Sequence, residues 1–300
     1  MTEGLKTVRE LIKVTADWFT QHGVESPRLN AERLLGDVLS LTRLELYLHH
    51  DRPLTGDETA RYRDLVKRRG AGEPLQTLIG QTEFYSRAFK VEAGVFIPRP
   101  ETELLVERCV ALMTSDTSSL LNPTALEIGC GSGVIGVSLA AEMPRLRVWT
   151  SDVNPAAVAL TAVNARRLGV GARVEPLAGP LFRPFPVQLR GQVHLLVSNP
   201  PYIPSDVVPT LDREVVDHDP HDALDGGPDG LDVYRAIAAG AGAWLTPWGL
   251  VAFEIGYDQG VSVPEILTNA GFVDIEVRND LNGHPRVVTG RWPGAGDGSN

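Results

Sequence analysis

The chain has 300 residues, 43% hydrophobic and 22% charged, a composition that predicts a globular protein with a substantial core and excludes a disordered or fibrous one. The formal net charge is −10 and the isoelectric point is near 5.2. This acidic balance argues against DNA or RNA as the main partner, because such binding depends largely on basic groups that neutralise phosphates.

Cysteine use and hydropathy indicate the compartment. Cys109 and Cys130 are too few for a disulfide framework and lack metal-site spacing, which favours a reducing compartment. The first ten residues lack the apolar stretch of a signal peptide, and no run of about 18 apolar residues follows. We therefore expect a soluble, cytoplasmic, monomeric protein without a metal site and without a membrane partner.

The first 72 residues have helical periodicity. Ser26-Pro27 is typical of a helix start, and Thr42 with Glu45 fits a capping box. Short helices with apolar faces must bury those faces against one another, so the pattern predicts a separate helical bundle. The predicted helices lie at about residues 5–19, from Pro27 through the apolar stripe 34–39, after Thr42, and at 57–69.

Residues 73–113 are predicted to connect this bundle to the rest of the chain. Apolar residues between Phe84 and Val91 suggest a hairpin, and the two prolines of residues 97–102 predict a rigid loop before a helix at 101–113. Residues 114–292 are predicted to form the main domain, which begins with a polar linker at 114–123. The polar residues 293–300 are predicted to fray.

From residue 124 the pattern alternates between strands and helices. This alternation predicts an α/β domain with a mostly parallel sheet, closed by a C-terminal hairpin. The predicted strands lie at 125–128, 147–150, 193–197, 250–255, 273–277 and 286–290, and the predicted helices lie at 134–142, 155–168, 231–244 and 261–270.

A glycine-rich stretch, residues 127–133, lies between the first strand and helix of this domain. Glycines let the backbone turn tightly and approach a ligand, and the helix N-terminus offers free N–H groups. Asp152 follows the next strand, where a carboxylate can accept hydrogen bonds from ribose hydroxyls. The pattern predicts a nucleotide-like cofactor, and the opposing interpretation is a tight turn that binds nothing.

The glycine spacing distinguishes between cofactors. Gly129, Gly131 and Gly133 give G-x-G-x-G, whereas dinucleotide-binding proteins have G-x-G-x-x-G. Glu127 would repel a pyrophosphate but suits a ligand that carries an ammonium group. S-adenosylmethionine is therefore the predicted cofactor. The predicted binding residues are Glu127, Gly129, Cys130, Gly131, Ser132, Gly133, Asp152, Leu181 and Asn199.

The second motif, Asn199-Pro200-Pro201-Tyr202, follows a buried strand on the same predicted edge. An amide nitrogen is a poor nucleophile, so an enzyme that methylates it must hold the NH2 group in line with the methyl donor. The Asn199 side-chain oxygen and the Pro200 carbonyl can each accept one N–H, and Tyr202 can lie against the planar group. Taken alone the motif is equally typical of a turn, so we rely on its combination with the glycines and Asp152.

The chain resembles the peptide-chain release factor glutamine N5-methyltransferases (the PrmC/HemK family). The resemblance rests on residues 73–76, 96–103, 127–133, 198–204, 223–227, 229–231 and 254–257. It implies a class I S-adenosylmethionine-dependent methyltransferase fold, Rossmann-like with seven mostly parallel strands. It also implies methylation of the glutamine in the Gly-Gly-Gln motif of class I release factors, held by residues 199–202, with the helical domain contacting the release factor.

One stretch departs from the family pattern. Relatives often carry an acidic residue in a Gly-Asp-Leu-Phe type sequence near the adenine, whereas this chain has Gly179-Pro180-Leu181-Phe182. Pro180 has no side-chain acceptor, so adenine recognition is expected to rest on backbone and apolar contacts and to be weaker. Three alternative functions stay open at this point. They are an adenine-amino methyltransferase acting on DNA or RNA, a ribosomal-protein glutamine methyltransferase, and a non-catalytic binding module.

Overall fold

The computed structural model describes residues 6–116 and 122–294, so part of the predicted linker 114–123 and most of the predicted tail 293–300 lie outside the described residues. The helices are α1 (Val8–Gln21), α2 (Pro27–Leu39), α3 (Arg43–Leu48), α4 (Gly56–Gly70), α5 (Leu75–Ile79), α6 (Glu103–Asp116), α7 (Val134–Glu142), α8 (Pro155–Arg167), α9 (Arg213–His218), α10 (Asp232–Ala241) and α11 (Ser262–Asn269). The strands are β1 (Gln81–Phe84), β2 (Arg87–Lys90), β3 (Thr124–Ile128), β4 (Arg147–Asp152), β5 (Val174–Ala178), β6 (Val193–Ser198), β7 (Leu245–Glu254), β8 (Val273–Asn279) and β9 (Pro285–Trp292).

The chain divides into two compact units. The first comprises the described residues up to Gln81 together with Arg213–His218, and the second comprises Thr82–Asp212 and the described residues from Asp219 onward. The first unit thus extends past the predicted boundary at residue 72, because α5 contributes apolar side chains to its core. As a functional domain, the predicted range 1–72 stays a prediction.

The helical unit starts its helices with reciprocal caps. Thr7, Thr42 and Thr55 each accept from a backbone N–H three residues on, where a glutamate bonds back to the cap. Such caps are worth about 1 kcal/mol each and satisfy N–H groups that have no partner inside the helix. Buried apolar side chains from α1, α2, α3 and α4 then share one core. The predicted capping box at Thr42 and the predicted helical pattern are confirmed.

A buried arginine joins separate segments of this unit. Arg69, only 7% exposed, donates to Asn30 Oδ1 at 2.8 Å, to the carbonyl of Glu73 at 2.9 Å and to Glu214 Oε2 at 2.7 Å. Glu214 belongs to α9, which lies between the predicted strand 193–197 and the predicted helix 231–244, where the sequence analysis predicts no helix. Separating Glu214 from Arg69 would leave the buried guanidinium without this partner, which costs free energy. The contact therefore holds α9 to this unit.

The second unit is built on a seven-stranded sheet of order β5-β4-β3-β6-β7-β9-β8. In this order, the five strands β5, β4, β3, β6 and β7 run parallel. β9 pairs antiparallel with both β7 and β8. The predicted class I methyltransferase fold, Rossmann-like and mostly parallel, is confirmed. Apolar side chains alternate between two cores, as in β6, where Leu195 and Val197 face one core and Val193 and Leu196 the other.

The order of the strands fixes where a ligand site can form. β3 pairs with β4 on one side and with β6 on the other, so the chain reverses its direction of winding at β3. In open parallel sheets, ligands bind at this point, outside the carboxyl ends of the strands. The glycine-rich stretch follows β3, Asp152 ends β4, and the Asn-Pro-Pro-Tyr motif follows β6.

β5 and the proline-rich loop also differ from the sequence prediction. β5 was not predicted because Glu175 and Pro176 interrupt its apolar character, and proline is tolerated there because β5 is an edge strand. The proline-rich loop ends in a 3₁₀ turn, Pro100–Thr102, before α6 begins. In residues 6–116 and 122–294, none of the helices combines the length and apolar character needed to cross a membrane.

Candidate active site

The glycine-rich loop after β3 turns at three left-handed positions. Gly129, Gly131 and Gly133 have φ of +77°, +52° and +83°, a conformation that side chains disfavour. The N–H groups of Gly129 and Cys130 both donate to the Ser151 carbonyl, at 2.8 and 3.1 Å. The loop therefore lies against the end of β4.

Asp152, the last residue of β4, forms the adjoining wall. Its Oδ2 accepts from the Gly131 N–H at 2.9 Å, and its Oδ1 accepts from the Asn154 N–H at 2.9 Å. Gly129, Gly131 and Asp152 all line one cavity. The structure thus brings together the loop and the carboxylate that the sequence predicts to contact a nucleoside.

Four predicted cofactor residues do not line this cavity. The carboxylate of Glu127 is fully buried beneath α7, where both oxygens lack a hydrogen-bond partner among the described residues. A Cβ on Gly136 would lie 2.4 Å from Glu127 Oε2, so the helix can pass only because this residue is glycine. Burial raises the pKa of Glu127 to about 8, and the charge of Asp152 adds to the effect.

The other three residues, Cys130, Ser132 and Gly133, pack against the protein interior and not against the cavity. Cys130 is buried, and burial raises the pKa of its thiol. The Ser132 hydroxyl is buried without a partner among the described residues. A Cβ on Gly133 would lie 2.8 Å from Thr161 on α8. Direct contact of the cofactor with these residues and with Glu127 stays a prediction.

All four residues of the Asn-Pro-Pro-Tyr motif line the cavity. The hydroxyl of the preceding Ser198 donates to the carbonyl of Ile128 at 2.6 Å and so joins this loop to the end of β3. Burial raises the pKa of Tyr202 to about 12, which keeps its phenol neutral at physiological pH. The motif therefore presents one amide and neutral, rigid surfaces to the cavity.

Side chains from two distant segments lie beside the Asn199 amide. Its Nδ2 donates to Thr102 Oγ1 at 3.2 Å, and Thr102 closes the 3₁₀ turn before α6. The carboxyl group of Glu254 lies at the end of β7, next to the end of β6, and its Oε2 is buried without a hydrogen-bond partner among the described residues. Burial raises the pKa of Glu254 to about 7, while the nearby polar side chains of Thr102 and Asn199 and the charge of Arg286 oppose the rise.

A glycine-containing segment, residues 224–231, supports the backbone of the motif. The Ile203 N–H donates to the Leu224 carbonyl at 3.0 Å, and the Gly226 N–H donates back to the Ile203 carbonyl at 2.8 Å. A Cβ on Gly230 would lie 2.3 Å from the Tyr202 carbonyl oxygen. Only glycine allows the two backbones to approach this closely, which explains the glycines of this stretch.

The cavity has a volume of about 760 Å³, within the range of small-molecule sites. Leu181, at a φ of +50°, forms part of its far wall, and the Ser151 hydroxyl fixes that turn by donating to the Leu181 carbonyl at 2.8 Å. Pro180 also lines the cavity. The predicted position of Leu181 beside the ligand is therefore compatible with the structure.

The sequence reasoning missed other wall residues, among them Phe96 and Pro220. The guanidinium of Arg99 lies 5.0 Å from the Phe96 ring centroid and pairs with buried Asp219. The Ile97 N–H donates to the same aspartate at 3.4 Å. The loop before α6 and the start of segment 219–225 are thus joined, a role the residue types alone do not reveal. Among the described residues, no group of three or more His, Cys, Asp and Glu side chains is arranged to hold a metal ion.

Comparisons with known proteins agree with this arrangement. Residues 10–80 match the PrmC N-terminal domain family, and residues 89–218 match the methyltransferase small domain family. A Geobacter sulfurreducens protein named release factor glutamine methyltransferase is 41% identical over 95% of this chain and 96% of its own. A Moorella thermoacetica protein with the same name is 42% identical over 93% of this chain and 96% of its own.

The fold is also found in more distant proteins. The solved catalytic domain of hMettl16, in complex with a MAT2A 3′UTR hairpin, superposes with a TM-score of 0.52 at 12% identity, covering 81% of this chain and 84% of that one. This likeness concerns the fold alone. The sequence relatives, which match over nearly the full length, decide the family: this chain belongs to the release factor glutamine methyltransferases.

Proposed function

We propose that this protein transfers a methyl group from S-adenosylmethionine to the side-chain amide nitrogen (N5) of the glutamine in the Gly-Gly-Gln motif of class I peptide-chain release factors. The observation that carries the proposal is the Asn199 amide at the cavity wall. Its NH2 group is held by Thr102, so its oxygen remains to accept a hydrogen bond. An acceptor at this place suits a substrate NH2 group.

The residues present fit S-adenosylmethionine, which is the cofactor of this methyltransferase family. Glycines at left-handed angles allow close backbone approach, and Asp152 can accept from ribose hydroxyls. Leu181 and Ala157 offer apolar surface to the adenine. When bound, the cofactor supplies an electrophilic methyl group on a sulfonium. The residues predicted to hold it, including Glu127, Cys130, Ser132 and Gly133 beneath the loop, are part of the proposal.

The chain's contribution to the reaction is positioning. Asn199 Oδ1 and the Pro200 carbonyl would accept the two N–H groups of the substrate amide, and the consecutive prolines keep that carbonyl from moving. These acceptors also stabilise the positive charge that grows on nitrogen as it is methylated. Tyr202 would lie against the planar amide. The nitrogen releases its proton after transfer, so no general base is required.

The remaining parts of the proposal concern partners and place of action. We assign release-factor recognition to the helical unit, whose sequence matches the PrmC N-terminal domain family. The acidic net charge of −10 supports a protein substrate rather than direct contact with nucleic acid. We further propose that the protein acts as a monomer in the cytoplasm, where its substrate is used.

The test is a transfer assay with purified protein, a purified class I release factor and labelled S-adenosylmethionine. We expect one added methyl group on the glutamine of the Gly-Gly-Gln motif, located by peptide mass spectrometry. The Asn199→Ala variant, assayed in parallel, should leave this glutamine unmodified over the same period.

Other outcomes separate the alternatives. Transfer to adenine in nucleic acid, or to a ribosomal protein instead of release factor, would keep the chemistry and overturn the proposed substrate. Cofactor binding without transfer to any of these acceptors would support the non-catalytic binding module.

A further inference from the structure

The side-chain amide of Asn199 lies between two groups from other parts of the chain. Thr102 Oγ1 accepts from Asn199 Nδ2 at 3.2 Å, and the Glu254 carboxyl group, whose Oε2 is buried without a hydrogen-bond partner among the described residues, lies beside both at the end of the neighbouring strand. Thr102 and Glu254 are each 2% exposed, whereas Asn199 reaches the cavity. The three side chains form a short polar chain that runs from the catalytic motif into the protein.

An asparagine amide can occupy its site in two ways, related by a rotation that exchanges oxygen and nitrogen. An ionised carboxylate accepts hydrogen bonds and cannot donate them, so the atom facing Glu254 has to be the amide nitrogen. The amide oxygen then faces the cavity, where it can accept from a substrate N–H. In the rotated state, N–H groups would face the substrate nitrogen and compete for the lone pair that attacks the methyl group.

We infer that Glu254 and Thr102 are positioning residues for the methyl transfer, which act by fixing the orientation of the Asn199 amide. This inference rests on the proposed function, because it concerns the acceptor that holds the substrate amide. It assigns no contact between Glu254 and the substrate. The residue acts through Asn199, and Thr102 contributes by accepting from the asparagine NH2 group beside the carboxylate.

The protonation state of Glu254 has a direct consequence for this orientation. Burial raises the pKa of Glu254 to about 7. Once protonated, the carboxyl group can donate to the amide oxygen, and the rotated state of Asn199 becomes accessible. The fraction of correctly oriented enzyme therefore falls as the pH is lowered through about 7.

Several other groups face this carboxylate. Arg286 on β9 favours its ionised form, and Glu101 in the 3₁₀ turn opposes it. Burial and the charge of Glu254 raise the pKa values of Tyr202 and Tyr234, so both phenols stay neutral around pH 7. Arg286 is itself paired with Asp280 at 3.3 Å. Of the groups named here, Glu254 is the one whose pKa lies near 7.

The first test compares substitutions that keep size. Glu254→Gln can donate as well as accept, so it tolerates both amide orientations, and Thr102→Val removes the hydroxyl. We expect each to lower kcat by about 10–100-fold while the cofactor Kd changes less than about twofold. Thr102→Ser restores the hydroxyl and should restore the rate. Thr289→Val, a buried position on β9, is the matched control and should behave as the wild type.

The pH profile separates orientation from mere structural support. Wild-type kcat should fall as the pH drops through about 7. Glu254→Gln should be slow at every pH and lose this ionisation. A profile that keeps the ionisation in Glu254→Gln would assign it to another group and overturn the inference.

A second readout needs neither substrate nor cofactor. In protein labelled with ¹⁵N-asparagine, the Asn199 NH2 resonances can be identified by their absence in Asn199→Ala. They should shift with pH around a midpoint near 7 in the wild type and stay constant in Glu254→Gln. Constant resonances in the wild type, or unchanged kcat in Glu254→Gln and Thr102→Val, would sink the inference. A wild-type enzyme that does not methylate release factor would instead sink the proposed function.

Discussion

The two sides of the cavity are built in different ways. On the proposed cofactor side, one continuous stretch after β3 folds back on the end of β4, and the contacts are mostly backbone N–H groups and left-handed glycines. On the proposed substrate side, residues of the Asn-Pro-Pro-Tyr motif line the cavity. Thr102 accepts from the Asn199 amide, and Glu254 and Gly230 lie against the motif, although all three are far away along the chain.

The two constructions are expected to control different properties, the cofactor affinity on one side and the rate of transfer on the other. A loop formed by one short stretch of backbone can bind a cofactor with few side chains. Substitutions in such a loop therefore change the affinity for the cofactor by changing the backbone conformation. A substrate acceptor whose side chain is oriented by several distant groups acts on the rate of transfer.

The largest effect is expected for Asn199→Ala on the substrate side. Removing one positioned hydrogen-bonding group from an active site typically lowers kcat by about 10²–10³-fold. The cofactor Kd, measured by calorimetry, should rise by a much smaller factor than the rate falls, since Asn199 is only one of the predicted cofactor contacts. Asn282→Ala, at an exposed position in the β8–β9 hairpin, serves as the control. If Asn199→Ala weakened cofactor binding as strongly as it slowed transfer, the two sides would not be separable.

A glycine pair tests the backbone support of the motif. Gly230 and Gly283 both have positive φ, +73° and +83°, so alanine costs about 1–2 kcal/mol of stability at either position. Only at Gly230 would the added Cβ meet another atom, the Tyr202 carbonyl oxygen at 2.3 Å, whereas nothing lies within 4 Å at Gly283. Gly230→Ala should therefore cost a further ~1–3 kcal/mol in urea unfolding and lower kcat. Equal costs for the two variants would show that the backbones can separate freely.

On the cofactor side, Glu127 predicts a dependence of stability on pH. Its pKa is raised from 4.5 to about 8 by burial, so the folded state retains a proton that the unfolded state loses. The stability contribution is complete below pH 4.5 and is lost as the pH rises towards 8. Glu127→Gln, which is permanently neutral, should gain stability relative to the wild type at pH 8 but not at pH 4. Parallel unfolding curves for the two proteins at both pH values would contradict this assignment.

Most of the fold was predictable because local patterns report it directly. The helix α7 has the predicted bounds, and the Thr42 capping box forms as expected. The parallel sheet follows from the alternation of strands and helices, since connections of this length favour parallel neighbours. β5 escaped prediction because an edge strand can include Pro176 and a charged residue without a continuous apolar run.

The site was predictable only where it is continuous in sequence. The glycine loop, Asp152 and the Asn-Pro-Pro-Tyr motif could be identified from their spacing relative to the strands. Thr102 lies 97 positions before Asn199, and no local pattern connects the two. Glu254 ends a different strand, and only the pairing of β6 with β7 brings it beside the Asn199 amide. Such contacts depend on which strand ends become neighbours, which only the folded sheet decides.

The smallest effect concerns the adenine side of the cavity, at Pro180. This residue lines the cavity without a side-chain acceptor, between Gly179 and Leu181, both of which have positive φ. An aspartate at this position can accept from the adenine amino group. Because the gain of a hydrogen bond is partly offset by desolvation, we expect Pro180→Asp to tighten cofactor binding by only about 2–10-fold. Pro180→Ala isolates the effect of losing the ring, which fixes the backbone of this turn. If calorimetry gave Pro180→Asp the same cofactor Kd as Pro180→Ala, the acceptor would contribute nothing, and the backbone and apolar contacts of this turn would suffice for adenine recognition.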